Sequence, residues 1–339
     1  MKRLKRSQAL GKRGLRAALG LALAACLALL TGCTAGLMPD RLTAAGGERP
    51  EGLHSPVAGE DNADIWEADV YFRFLDEPML ASERRILTVS KDESLELALV
   101  EALLAGPSAA SPELRRLFAD EVTVESTLSQ GEILFVTLSE SVLEPFRDEP
   151  DHWREDAYWL REVPLRRQLA MQSLAATLIE NCGYESVQVL LHRRAETSGS
   201  MRLPLSYFEE GAQGLAPALS RDDSLILGPG LTAKTILTCC RQKDWERLYR
   251  YVALGGERAR PAQAGALAQM DGGLSLLSFQ AGEAAVSQDG RQAILSCQLT
   301  LEKTPGEGRT LAGYPLRLIR ENGIWKISWE ELLKLLNRW

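Results

Sequence analysis

Histidine is scarce in this chain: His54, His152 and His192 are the only three in 339 residues, and none stands in an HExxH or other recognisable ligand spacing. A histidine-held metal centre therefore has no motif to rest on. There is no GxSxG elbow, and Gly228-Pro229-Gly230 lacks the lysine and the helix context of a phosphate loop. Cysteine is sparse too, six in all, without CxxC spacing and too thinly spread for a disulfide scaffold. Cys182, Cys239, Cys240 and Cys297 are expected as small buried hydrophobes. These absences leave no catalytic constellation, no metal and no cofactor to expect, and the chain reads as a non-enzyme. One further absence points to something present: no acidic residue precedes Asp40, so Lys2, Arg3, Lys5, Arg6, Lys12, Arg13 and Arg16 stand unopposed.

That basic front runs into an apolar core from Ala17 to Leu29, and an export signal carries roughly 7 to 15 such residues before its cleavage site. Cys26 and Cys33 both close a short apolar-small-small run, but stopping at Cys26 leaves only Ala17 to Ala22 ahead of LAAC. Cys33 is the better start. Leu30-Thr31-Gly32-Cys33 resembles the bacterial lipobox, which implies that Leu30, Thr31 and Gly32 are read by the signal peptidase and that Cys33 carries a diacylglyceryl group. Two acyl chains at about 0.8 kcal/mol per buried methylene anchor a protein stably. Ala17 to Met38 is also uncharged for long enough to span a bilayer, so an uncleaved anchor, or a freely secreted chain, is an alternative. All three put the bulk of the chain on the extracytoplasmic side. Removing residues 1–32 takes the net charge from −7 to about −14, and so acidic a chain is a poor partner for nucleic acid.

About 307 residues then remain, enough for two ordinary domains. Residues 33–65, rich in Gly, Pro and Ala, read as a flexible stalk; 209–230, with EEGAQG and a closing Gly-Pro-Gly, read as a linker. Between them Asp69–Phe74 and Arg84–Val89 are strand-like, and Ser90 with Glu93 forms a capping box ahead of the helical stripe Leu95, Ala98, Leu99, Ala102. A hairpin follows over Val122–Leu138; then a helix begins near Pro164, a favoured first-turn residue, and ends at Gly183, and Ser186–Leu191 is a last strand. The order ββ-α-ββ-α-β predicts an α+β domain with a mixed sheet and helices on one face.

LALVEALLAGP (97–107), the hairpin ending FVTLSES (135–141) and LAMQSLAATLIENCGYESVQVLL (169–191) resemble the GerMN domain of envelope lipoproteins in spore germination and sporulation. The resemblance covers roughly residues 66–206 and implies a GerMN-like fold for a domain over 66–208. The family's Asp-Gly turn after its last strand is replaced here by His192-Arg193-Arg194, which puts a ligand or partner surface on that turn in doubt. Residues 231–339 differ: two helical runs, Ala233–Cys240 and Trp245–Val252, precede strands at Leu274–Gln280, Glu283–Val286, Gln292–Lys303, Arg309–Glu321 and Ile324–Ser328, with hairpin turns at Gln288-Asp289-Gly290 and Asn322-Gly323 and a final helix from Trp329. Helices followed by an antiparallel meander resemble the cone-shaped nuclear-transport-factor-like, or cystatin-like, fold.

The stretch Phe146–Glu162, FRDEPDHWREDAYWLRE, crowds charge around Trp153 and Trp159. Asp148, Glu149, Asp151, His152, Glu155 and Asp156 match neither a calcium loop nor helical facing, so a solvated loop is expected there. Trp153 and Trp159 are candidates for a partner surface, against the alternative of burial in their own domain. A lipid, a stalk and two α+β modules suggest an envelope binding or scaffold protein anchored to the cell membrane and facing an envelope protein partner. The GerMN resemblance adds sporulation or germination as its setting. A solute-binding lipoprotein is the alternative, but it requires two doubly wound lobes, which the C-terminal meander opposes; a peptidoglycan hydrolase lacks a visible catalytic set.

Overall fold

A computed structural model describes residues 57–58, 63–192, 199–271, 275–302 and 306–337. Cys26, Cys33, His54, most of the stalk and the Arg193-Arg194 turn lie outside the described residues.

The chain opens with an antiparallel hairpin. β1 (Val57–Ala58) lies along β2 (Ala63–Phe74), which pairs with β3 (Leu80–Ser90) in the register Val70↔Glu83 and Phe72↔Ala81; β4 (Leu114–Arg115) adds to the end of β2 at Arg73 and Phe74. Ser90 is still in the ladder, opposite Ala63, and its carbonyl accepts from Glu93 N at 3.1 Å, so residues 90–93 form a turn. The helix α1 (Leu95–Leu104) therefore starts one turn later than the capping box suggests, where Ser94 Oγ accepts from Leu97 N at 3.2 Å.

The second sheet is mixed. β5 (Val124–Gln130) and β6 (Ile133–Ser139) form the expected hairpin, β6 pairs in parallel with β7 (Ser186–His192), and β8 (Ser200–Arg202) adds antiparallel on the outside. Parallel strands need a long crossover, and α2 (Trp159–Cys182) supplies it. This 24-residue helix begins five residues before Pro164, which therefore sits inside it rather than at its first turn. Asp156 Oδ1 makes the earlier start, accepting from Tyr158 N at 2.7 Å and Trp159 N at 3.3 Å.

α2 also completes the first sheet. Between β1 and β4 the outer edge of β2 is left without a strand at Asp69 and Tyr71. Thr177 Oγ1 accepts from Tyr71 N and Asn181 Oδ1 from Asp69 N, each at 3.0 Å, while Asn181 Nδ2 donates to the Asp69 carbonyl at 2.8 Å. Thr177 and Asn181 are one helical turn apart, so two polar side chains of one face stand in for a missing strand.

Residues 209–228 are stitched to this domain rather than hanging free. Leu219 exchanges two backbone hydrogen bonds with Val187, at 2.8 and 2.9 Å, and Leu227 N donates to Leu80 O at 2.7 Å. The segment leads into α3 (Pro229–Gln242), so Gly228-Pro229-Gly230 does have a helix context, with Pro229 at the favoured first position. After α4 (Trp245–Arg250) and α5 (Gln263–Asp271) comes an antiparallel meander of β9 (Ser275–Val286), β10 (Gln292–Glu302), β11 (Gly308–Glu321) and β12 (Ile324–Lys326), closed by α6 (Trp329–Leu336). The sequence suggests a break near Ala281-Gly282, but β9 runs through it: at Gly282 a Cβ would come within 3.0 Å of Ser296 O, an approach that the missing side chain permits. Bulges between Leu295 and Cys297, Cys297 and Leu299, and Thr300 and Leu301 bend the sheet. The molecule is thus α+β, with one hydrophobic core running from β2 and α2 to α3, β10 and α6.

Candidate partner surface

In the charged loop between β6 and α2, Glu149 and Glu162 are drawn inward, while Asp148, Asp151, His152, Arg154, Glu155 and Asp156 stay exposed. Glu162, on the first turns of α2, lies between Arg73 of β2 and Arg166. The Arg73 guanidinium is bidentate on it, Nη2 to Oε2 at 3.1 Å, and Arg166 Nε donates to Oε1 at 2.7 Å. Burial alone would raise the Glu162 pKa, but the hydrogen bonds from Arg73 and Arg166 outweigh it and hold the carboxyl below its ordinary range. Arg166 reaches on to Asp148 at 2.6 Å, and that bond above all lowers the Asp148 pKa. Glu149 faces Arg167 at 3.6 Å, and Arg154 Nε donates to both carboxylate oxygens of Glu210 at 2.8 Å. Glu162, Asp148 and Glu149 are thus paired with arginines, and Asp156 is bonded to the helix start. Among the described residues, no group of three or more His, Cys, Asp or Glu side chains converges as a metal site.

The tryptophans divide. Trp153 is 6% exposed, with the Arg154 guanidinium 4.5 Å above its ring. This corrects the expectation that Trp153 belongs to a partner surface: its ring is part of the packing that seats the loop. Trp159 is half-buried, meets Tyr158 edge-on at 5.3 Å and lies under Arg166 at 5.2 Å. The residues that do face water are Tyr158, 53% exposed, and Leu160, 52% exposed. Leu160, Pro164, Leu165 and Phe208 line an open depression of about 440 Å³ beside them. Tyr158 and Leu160 flank Trp159 with the spacing of a strand. Their exposure is not legible from helical spacing, since Leu160 stands three residues before the buried Val163; it follows from their place at the very start of α2.

The four cysteines are free thiols: Cys239, Cys240 and Cys297 are buried and Cys182 is half-buried. Burial pushes Cys182 up to about 12 and Cys239 up to about 11, and raises Cys240 and Cys297 as well. His152 and His192 are exposed and lie in separate parts of the first domain, the loop before α2 and the end of β7. Among the described residues, no helix is long and apolar enough to cross a membrane.

Residues 69–192, from the second half of β2 to the end of β7, match the Germane family model, described as sporulation and spore germination. This part of the chain is similar to a domain family of sporulation and spore germination, and the molecule that carries it is an α+β protein. Among solved structures, the chain is similar to the tandem GerMN domains of the sporulation protein GerM from Bacillus subtilis, at 16% identity and a TM-score of 0.31, over 50% of this chain and 49% of that one. It thus spans about half the length of that structure. A Clostridium perfringens protein named as a lipoprotein is similar at 16% identity and a TM-score of 0.26, over 49% of this chain and 94% of that one. No curated protein matches the chain.

Proposed function

We propose that this protein is a lipid-anchored binding or scaffold protein on the extracytoplasmic face of the bacterial cell membrane, working in sporulation or germination without catalysis of its own. The Germane match over residues 69–192 carries the setting. The anchor is supported by the basic front, the apolar core and the Leu30-Thr31-Gly32-Cys33 box, and the mode of action by the exposed Tyr158–Leu160 patch. That patch stands on a helix start held by buried ion pairs, so it is a rigid surface of the kind that binds by complementarity. Its partner is an envelope protein.

Two measurements test the reading. Mass spectrometry of the mature N-terminus should find a diacylated Cys33, and Cys33→Ala should leave an uncleaved precursor while Cys26→Ala changes little; an unmodified start elsewhere sinks the anchor. Affinity purification from envelopes of sporulating cells should recover a partner that the Tyr158→Ser/Leu160→Ser double variant loses with its circular dichroism unchanged. If the double variant captures the same partner as well as the parent, the patch is not the interface.

A further inference from the structure

Residues 219–229 carry the chain from the first domain to the meander, and on the way they close one wall of a cleft of about 200 Å³. β2, β3, the last turn of α2 and the β11–β12 turn form the others. Five charged side chains meet there: Asp69, Arg84, Glu180, Arg221 and Arg320. Glu180 and Arg221 pair with each other, and Arg221 lies 5.7 Å over the Tyr71 ring, so this pair is spoken for.

Two groups are left with bonding capacity in hand. Asp69 is only 8% exposed; its Oδ2 accepts from Arg84 Nη2 at 3.3 Å, whereas Oδ1 is sealed from solvent with no hydrogen-bond partner. A buried carboxylate oxygen without a donor is costly, so a ligand that brings a donor is rewarded. The Arg84 side chain on that carboxylate is 51% exposed, so it is the group that an incoming donor meets first at Asp69. Arg320 gives Nε to Gly323 O at 3.1 Å and Nη2 to Ser82 Oγ at 3.3 Å, but has no carboxylate within ion-pair distance among the described residues. The start of α3 lines the same cleft, and its N-cap, Gly228, offers no side-chain oxygen to the helix. The positive end of a 14-residue helix thus adds to the charge of Arg320.

We propose that this cleft binds a small zwitterion of the amino-acid class, its ammonium group on the Asp69 carboxylate and its carboxylate on Arg320 and the start of α3. A simple anion meets Asp69 and Glu180; a simple cation meets three guanidinium groups. Only a molecule carrying both signs satisfies the cleft at both ends. The volume agrees, since it falls below the roughly 300–1,000 Å³ of sites for drug-sized ligands. The inference goes beyond the scaffold reading and does not depend on it.

Calorimetric titration of the full chain with glycine, L-alanine, D-alanine and L-glutamate, with acetate and methylammonium as half-ligands, tests it. At least one zwitterion should bind saturably, one per chain, and at least tenfold more tightly than either half-ligand. Asp69→Asn and Arg320→Gln should each weaken that binding at least tenfold with circular dichroism unchanged. Should Asp69→Asn fold poorly, Arg320→Gln decides, because that side chain is only half-buried. Absence of binding by all four zwitterions, acetate binding as tightly as they do, or binding that survives both substitutions overturns the proposal. Envelope capture by the Tyr158–Leu160 patch is read in a separate assay, so each idea can fail alone.

Discussion

Glu162 answers two arginines at once, and the Arg73 side chain beside it is only 5% exposed. Removing one partner of a buried pair strands the other charge, so Glu162→Ala should cost about 3–5 kcal/mol in urea unfolding, whereas loss of the more exposed Asp148 should cost far less. The pH dependence follows from the lowered carboxyl pKa values of Glu162 and of Glu83; at Glu83, burial is outweighed by the Ser108 hydroxyl and amide, Arg85 and Ser111. In the ordinary glutamate range and below it, the unfolded chain takes up protons that the folded chain refuses. The stabilisation is present in full above that range and is lost as pH falls through the folded values. Chemical denaturation from pH 7 to pH 3 should show it, with a shallower fall for Glu162→Gln. The thiols give the opposite chemistry: raised pKa values leave almost no thiolate at neutral pH. Iodoacetamide at neutral pH should leave Cys182, Cys239, Cys240 and Cys297 unlabelled in the native chain and label all four in urea.

The β11–β12 turn packs directly against β3. Asn322 and Gly323 both have positive φ, +51° and +84°, the backbone of a tight hairpin, and a Cβ on Gly323 would collide with the backbone carbonyl of Ser82 on β3. Gly323→Ala should cost about 1–3 kcal/mol for the left-handed backbone alone and more for the collision. Gly290 makes a control: it turns at φ +65° with nothing within 4 Å of an added Cβ. Thermal melting should place Gly323→Ala well below Gly290→Ala; equal losses would mean that contact with β3 adds nothing.

At the scale of the whole molecule, residues 66–208 and 231–339 each bury apolar side chains, yet charged and aromatic groups join them. Phe74 and Tyr251 pack with ring centroids 5.3 Å apart, Arg247 is bidentate on Glu77, and Lys326, 1% exposed, reaches Glu113 at 2.6 Å. Cutting the chain in the linker exposes both rings and leaves Lys326 with Glu321 alone, at 3.1 Å. The intact chain should therefore unfold in one cooperative transition, and each fragment expressed alone should melt below it. Two well-separated transitions in the intact chain would show that the halves are energetically independent.

What the sequence determines by itself is whatever depends on neighbours along the chain. Leu95, Ala98, Leu99 and Ala102 mark one helical stripe, Asn322-Gly323 marks a hairpin, and the ordered segments from Leu97 to Leu191 mark the stretch that the Germane family model matches. The tertiary structure decided what depends on neighbours in space. Ser90 ends the β3 ladder opposite Ala63 and the cap falls to Ser94, and α2 begins at Trp159, where Asp156 Oδ1 accepts from Trp159 N and Glu162 meets Arg73. Trp153 was drawn inward while Tyr158 and Leu160 were left in water. Thr177 and Asn181 read as interruptions in an apolar face until an open strand edge needs two hydrogen-bonding side chains. Asp69 and Arg320, 251 residues apart in the numbering, share a cleft only because the linker lies along β3 and the last hairpin packs against Ser82. Local propensity has a range of a few residues, whereas burial and charge pairing act wherever the chain is brought together, and there the long-range terms prevail.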